Sequence, residues 1–409
     1  MRRMPAVEAA SQMVQVVRLV AAQDRAAEQD HVLAMPGVRP DAITLNDRDV
    51  SGRAPTGVEF LWEGHAEAST MTVILPDRGA DPFAFKDDEA EALRWLTEAP
   101  GEVIRAIRVG VVATEKQALT IAETLAFSTP DLVTCRVGSA RIWSDYRVHD
   151  DGFGRLLVAA GDLLPFDLGR LVQRLQELGN YRNLALLGLP VAQAQGSALA
   201  ALERETGGVS QKLASGEAGT ALLDELSSIS ARVAVIADET AFRMSATAAY
   251  AQIVHDRLTG LRCTPVPGFQ KLDDFIERRL LPATRTCASF SARLESLSAR
   301  IERTTALLRT RVEMGMQAQN VAVLKSMQQT ASRQLRLQHL VEGLSVVAVS
   351  YYALALASYV IRVLAHPFTF GPEAVEALAV PPVMILVWLY LRHQVRRIEA
   401  GEASTSAGD

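Results

Sequence analysis

At 409 residues, 49% of them hydrophobic, the chain is long enough for one or two packed domains and a membrane hairpin. A formal net charge of −5 is too mild to imply nucleic acid or an acidic polymer as partner, and arginine's 37 to 5 excess over lysine reads as genome composition rather than phosphate recognition. Three widely spaced cysteines, Cys135, Cys263 and Cys287, give neither a disulfide framework nor a zinc pattern and suit a reducing compartment.

The N-terminus offers no signal peptide, because the apolar run 13–22 is broken by Gln15 and Arg18 and no small-residue cleavage site follows. Targeting is therefore expected to fall to the C-terminal apolar segments. Residues 1–160 read as a mixed α+β domain. A β-branched strand at 14–20 is followed by a helix at 24–35, strands at 58–62 and 71–75, a helix at 88–96 and a strand at 103–113. That order, βαββαβ, matches the ferredoxin-like motif. A helix at 115–127 leads into strands at 132–137, 141–148 and 155–159, a β-meander with Asp151-Gly152 as turn chemistry.

From residue 161 the chain becomes helical, with runs at 167–187, 191–205 and 218–258, closed by Pro265, Pro267 and Gly268 near residue 270. A stalk then covers 271–339, interrupted only by Pro282. Its apolar stripe of Leu294, Leu297, Ile301, Leu308 and Val312 predicts coiled-coil or bundle packing. Nearer its end amides take over, from Gln317 to Gln338, and nothing breaks the helix before residue 340.

Two apolar stretches, 340–361 and 374–391, would reach about 33 and 27 Å as helices, roughly the thickness of a hydrocarbon core. Each carries one acid near its start, Glu342 and Glu376; Pro381-Pro382 predicts a kink in the second. Lys325, Arg333 and Arg336 precede the hairpin and Arg392, Arg396 and Arg397 follow it, whereas only Arg362 lies between the spans. This asymmetry puts both termini, including the tail 392–409, in the cytoplasm of a bacterial inner membrane. In the first span Gly343, Ser350 and Ala357 recur every seven residues, so a second copy of the helix can approach closely. Tyr351 and Tyr352 fall at mid-bilayer depth and need polar partners. Together with Glu342 these residues are the helix-packing or pore-lining candidates, and a homo-oligomer joined through stalk and first span is expected.

Motifs for chemistry are few. Gly152-Phe-Gly154 lies between short strands without a following helix and reads as a hairpin turn, not a phosphate loop. His149 with Asp150 and Asp151 reads as a turn rather than a metal site. In the segment 143–149 (WSDYRVH) Trp143, Asp145, Arg147 and His149 would share one strand face, with Asp145–Arg147 a surface pair. No catalytic residue, cofactor site or metal site is assigned, and the chain is expected not to be an enzyme.

Residues 307–312 (LLRTRV), 335–338 (LRLQ), 341–348 (VEGLSVVA) and 350–352 (SYY), with 142–147 (IWSDYR), 169–175 (GRLVQRL), 185–190 (ALLGLP) and 283–287 (ATRTC), resemble a bacterial family of uncharacterised membrane-anchored proteins. The likeness covers most of the chain. Members usually open with an Asn-Glu-x-His-Ala-Arg-Pro-like segment that residues 1–12 lack, which predicts a chain that starts late or has lost that element. The family brings no activity with it. A looser architectural resemblance is to magnesium channels of the CorA type. Those end their first span in Gly-Met-Asn, where residues 357–362 here read ASYVIR, which argues against magnesium selectivity by that route. The sequence thus points to a membrane-anchored binding, sensing or scaffold module, with an oligomeric ion conduit as the alternative.

Overall fold

The structure, a computed structural model, describes residues 6–364 except 47, 80, 85, 87, 88, 126 and 128–130, together with 381–383, 385–390, 392 and 393. Residues 1–308 form one compact unit and 309–409 a second. The first unit is built on a mixed ten-stranded sheet flanked by helices.

Its central strand, β1 (Ser11–Leu19), is covered on both faces, so that its apolar residues and its polar ones alike are buried. Helix α1 (Arg25–Leu33), edge strands β2 (Thr44–Leu45) and β3 (Asp49–Arg53), then β4 (Glu59–Gly64), β5 (Ala68–Leu75), helix α2 (Ala90–Thr97) and β6 (Glu102–Val112) follow. β2 and β3 escape sequence reading. Asp49, Ser51, Gly52 and Arg53 have little strand propensity, and only pairing with β4 holds them extended. β6 and β5 flank β1, β4 lies beyond β5, and all of these neighbours are antiparallel.

Helix α3 (Glu115–Thr124) starts on a capping box: the Gln117 N–H donates to Thr114 Oγ1 (3.3 Å), and Thr114 N–H to Gln117 Oε1 (3.2 Å). Strands β7 (Val133–Val137), β8 (Ala140–Ser144) and β9 (Gly154–Ala159) are successive antiparallel neighbours, and β9 closes onto β6 in parallel. β8 is shorter than the expected 141–148. Tyr146 adopts a left-handed conformation (φ 53°), and the Ser144 hydroxyl takes its N–H (3.1 Å) while donating to the Arg155 carbonyl (2.8 Å). The strand alternation therefore ends at Ser144. The Asp145–Arg147 surface pair is overturned as well. Asp145 is 1% exposed, and its carboxylate accepts the Arg147 backbone N–H (3.2 Å), while the Arg147 guanidinium reaches Asp131 (2.8 Å).

Helices α4 (Pro165–Leu186), α5 (Gly188–Ala214) and α6 (Thr220–Leu261) come next, then the short β10 (Thr264–Pro265), which adds to β7. Helix α7 runs unbroken from Leu272 to Leu364, with Pro282 inside it. The interruption expected at Pro282 does not occur. Its missing N–H leaves one carbonyl without its helical donor, but Ile276, Leu280 and Ala283 are buried around it and hold the turn. On one sheet face Met13, Val109, Val111, Ile142 and Val158 pack against α4, α6 and the start of α7. On the other, Val14, Val16, Met71 and Val73 meet α1 and α2, and Trp143 and Leu157 meet α3.

The stripe Leu294, Leu297, Ile301 and Leu308 is buried within the compact body of one chain. Of the coiled-coil or bundle packing that the stripe predicts, these four residues show packing within the chain's own helical body. From residue 313 to 341 nearly every position is exposed. Two helical runs are long and apolar enough to cross a membrane, Pro165–Ala214 and Leu272–Tyr359; the first has many of its apolar residues in the body's core. Of the expected second span, 381–383 and 385–390 are helical, while 374–380 and residue 391 lie outside the described residues, as do Glu376, Arg396 and Arg397.

Packing at the α4–α5 corner is tight. A Cβ on Gly188 would lie 2.2 Å from Thr247 Oγ1 on α6 and 3.2 Å from Cys287 Sγ on α7. Gly188→Ala should cost about 1–3 kcal/mol in urea unfolding, the range for overpacking. Gly196→Ala, in open space on α5, should instead gain up to about 1 kcal/mol from helix propensity.

Candidate functional site

The polar side chains of β1 set up the site. Gln15 faces α4 from within the sheet, so its amide needs internal partners. Its amide nitrogen Nε2 donates to Thr72 Oγ1 (3.0 Å) and Gln176 Oε1 (3.4 Å), and its amide oxygen accepts from Asn180 Nδ2 (3.0 Å). Arg105 of β6 joins this network: Nη1 donates to Asn180 Oδ1 (2.6 Å) and to Gln15 Oε1 (3.3 Å). Its guanidinium lies against the α4 backbone at Gly179, where a Cβ would come within 2.6 Å of Nη2. Only a glycine leaves this passage open without moving the arginine.

Beside Arg105 opens a cavity of about 100 Å³ between β6, the end of β8 and α4, lined among others by Ser144, Tyr146, Gly154, Gly179 and Arg182. Arg182 is held from behind by Asn183, whose Oδ1 accepts from Nη2 (3.2 Å) and whose Nδ2 donates to the Ile104 carbonyl (3.0 Å). The Arg182 guanidinium sits over the Tyr146 ring (5.2 Å), Tyr146 stacks on Phe275 of α7 (4.7 Å), and Arg279 lies over Phe275 (5.8 Å). The four side chains form one continuous stack, two rings face to face with a cation on each outer side.

Burial is the main electrostatic cost here. It drives Arg105 down to about 9, with the neighbouring Arg182 cation acting in the same sense. Burial also lowers Arg182, and Arg279 adds to that. Both guanidiniums remain charged at neutral pH. The Tyr146 phenol is pushed up by burial, so it stays protonated and able to donate. Among the described residues no carboxylate forms an ion pair with Arg105, Arg182 or Arg279. Elsewhere in the body Arg78 meets Glu89 (2.7 Å), Arg108 meets Asp151 (3.0 Å), Arg141 meets Glu115, and Arg243 meets Glu67.

The residues singled out from sequence sit elsewhere, all on α7. Ser350 is 2% exposed and its hydroxyl has no partner among the described residues, whereas Ala357 is half-buried. Gly343 is exposed, with nothing within 4 Å of a built Cβ. Tyr351 and Tyr352 are 71% and 66% exposed, their rings edge-on at 5.9 Å, and Glu342 lies 3.6 Å from His339. The small face is thus partly covered within one chain and the tyrosines stand on the open side. Sequence reasoning passed over the arginine cleft. Its one visible signal was the unbroken polar and aromatic run Asn180-Tyr-Arg-Asn183 in α4, together with the polar and aromatic segment 143–149.

Fold and cleft define an α/β body carrying a cationic pocket and continued by a long apolar helix. The chain belongs to a family described as a protein of unknown function, DUF3422, whose model matches residues 1–398. It is also 37% identical over 87 residues to an L-cysteine:1D-myo-inositol 2-amino-2-deoxy-alpha-D-glucopyranoside ligase from two Mycobacterium strains, KMS and JLS. That match takes in 20% of this chain and 21% of the ligase, so the chain spans about a fifth of the length of the curated relatives it matches. Among solved structures, the CorA magnesium transporter from Methanocaldococcus jannaschii aligns over 87% of this chain and 99% of its own at 10% identity. The TM-score of 0.15 is too low for that likeness to carry an argument.

Asn180 is the joint between α4 and the buried Arg105. Asn180→Ala removes an acceptor from a charged donor and a donor from Gln15, and should destabilise the protein by about 1.5–3 kcal/mol in denaturant titration. Asn183→Ala, whose partners are less buried, should cost less.

Proposed function

We propose that this protein is a non-enzymatic, membrane-anchored module whose body faces the cytoplasm and binds a small ligand or partner. The observation that carries this reading is the double membership of α7. The helix whose Phe275 stacks on Tyr146, a residue of the cleft wall, is the one that holds the apolar run 340–361. A ligand in the cleft would therefore lie one ring, Tyr146, away from the first turns of that helix, which suits sensing better than catalysis. The four strands β6-β1-β5-β4, with α1 and α2 between them in sequence, support reading the N-terminal part as ferredoxin-like. The second span of the hairpin, 374–391, rests on the sequence pattern.

An oligomeric conduit is the second reading. What favours it is the exposed stretch from 313 to 341, where Met314, Val321, Leu324 and Met327 stand uncovered among the amides. Copies of this helix packed about an axis would cover them, and the open tyrosines 351 and 352 would find partners above.

Four measurements separate these readings. Carbonate extraction of membranes should leave the full chain in the pellet; release into the soluble fraction removes the anchor. A single cysteine at position 369 should react with impermeant maleimide from the periplasmic side, and one at position 405 should not; the reverse pattern overturns the topology. Cysteines at Gln328 and Gln334 should cross-link copies if the stalk pairs. Ion flux through protein-containing liposomes would favour the conduit, and its absence with intact cross-linking the anchored module.

A further inference from the structure

The cleft at Arg105 and Arg182 holds more positive charge than the protein itself answers. Arg105 neighbours Arg182, and Arg182 and Arg279 end one stack of rings; each cation disfavours the charge of the next, and none is ion-paired among the described residues. Shielding such groups from water without a counter-charge is expensive, and Arg78, Arg108 and Arg141 avoid it by facing carboxylates. The protein side of the cleft is nonetheless built with care. Asn180 and Asn183 fix one edge of each guanidinium, which leaves Arg105 Nε and Nη2 and Arg182 Nη1 without a hydrogen-bond partner among the described residues. Gly179 gives the Arg105 plane its room. Tyr146, a non-glycine residue at φ 53°, is held in a strained backbone that keeps its ring between Arg182 and Phe275.

We propose that this cleft is a binding site for a small soluble oxyanion of the phosphate class, free or as the terminal group of a metabolite. The proposal deepens the ligand-binding reading above and rests on it. Planar guanidinium forks match phosphate oxygens in pairs, and a dianion answers the local charge better than a monoanion. A cavity of about 100 Å³ admits the anionic group alone, so any larger remainder of the ligand stays outside. Tyr146 lines the same cavity as the two cations, and exposed Arg279 stands beyond it at the far end of the stack, over Phe275. Anion binding would relieve the repulsion between the arginines and reach the start of α7 through the Tyr146–Phe275 contact.

The test uses the full chain in neutral detergent micelles, titrated with inorganic phosphate and, separately, with chloride at matched ionic strength. Thermal unfolding and calorimetry should show a saturable phosphate response with no counterpart in chloride. Arg182→Gln should weaken phosphate about tenfold or more, and Arg182→Lys, which keeps the charge and loses the fork, about three-fold. A wild-type protein that responds alike to both salts overturns the site, as does an undiminished response in folded Arg182→Gln. Should Arg182→Gln not fold, Arg182→Lys decides in its place; an unchanged affinity there counts against the site. A response to malonate but not to phosphate overturns the ligand class. Nanodiscs of phosphatidylcholine, with and without phosphatidylglycerol, distinguish the source. If the anionic lipid alone abolishes the phosphate titration, a headgroup fills the cleft and the soluble ligand is wrong. Phosphate failure with the chain still held by carbonate-washed membranes sinks this inference alone, while release from the membrane with phosphate binding intact sinks the anchor alone.

Discussion

The body depends on a strand that is buried on both faces and yet carries polar side chains. In β1, Gln12, Gln15 and Arg18 alternate with or interrupt apolar residues that are almost wholly inaccessible. None can reach bulk water, so each must be answered from inside. Arg78 donates to Gln12 while pairing with Glu89, which ties the loop before α2 to the strand. Arg18 donates to the Thr97 carbonyl at the end of α2 (2.8 Å). Gln15 draws in Thr72, Gln176, Asn180 and Arg105, and in doing so fixes how α4 lies across the sheet. The position of Arg105 beside the cavity follows from that chain of obligations.

Helix α7 shows how one secondary structure can serve two environments. Its first ten turns complete a hydrophobic core, with Leu272, Phe275, Ile276 and Leu280 in contact with the sheet layer and Arg293 and Arg300 engaged by Glu203 and its carbonyl. Beyond residue 312 the helix has no such cover, and its stability there depends on local propensity and on whatever surrounds it. Glutamine, alanine, methionine and leucine suit that stretch because they favour helix without needing a core. A rigid element of this kind can transmit a change only if the two ends prefer different states, so the stack Arg182–Tyr146–Phe275–Arg279 is where a preference would have to arise.

Arginine is the main cation of this chain, and the structure uses its planarity. Arg141 lies over Trp143 (4.8 Å) while reaching Glu115, and Arg136 meets the same carboxylate (2.6 Å). Burial alone would raise Glu115, but the hydrogen bonds from these two arginines hold it below its ordinary range. Such clamps pin α3 to β7 and β8. Against that pattern the carboxylate-free arginines of the cleft are the exception, and lysine, a compact and strongly hydrated charge, could not replace them in a stack of rings.

Much of the architecture was legible in the amino-acid order. β-branched runs located β1, β5 and β6, and stretches without internal proline located α4, α5 and α6, because local propensity and periodicity act over neighbouring residues. The strands β2 and β3 and the stop of β8 at Ser144 were not legible, since pairing partners and a left-handed Tyr146 decide them. The same limit hid which face of α7 is free: the stripe Leu294–Leu308 looks like any helical seam until the body is seen to bury it. The cleft is the clearest case. Arg105, Tyr146, Asn180 and Phe275 are separated by up to 170 residues, and each alone is an ordinary residue type for its strand, turn or helix. Only the packing of α4 and α7 on the sheet brings them together, and only burial among them turns two arginines into an unanswered charge.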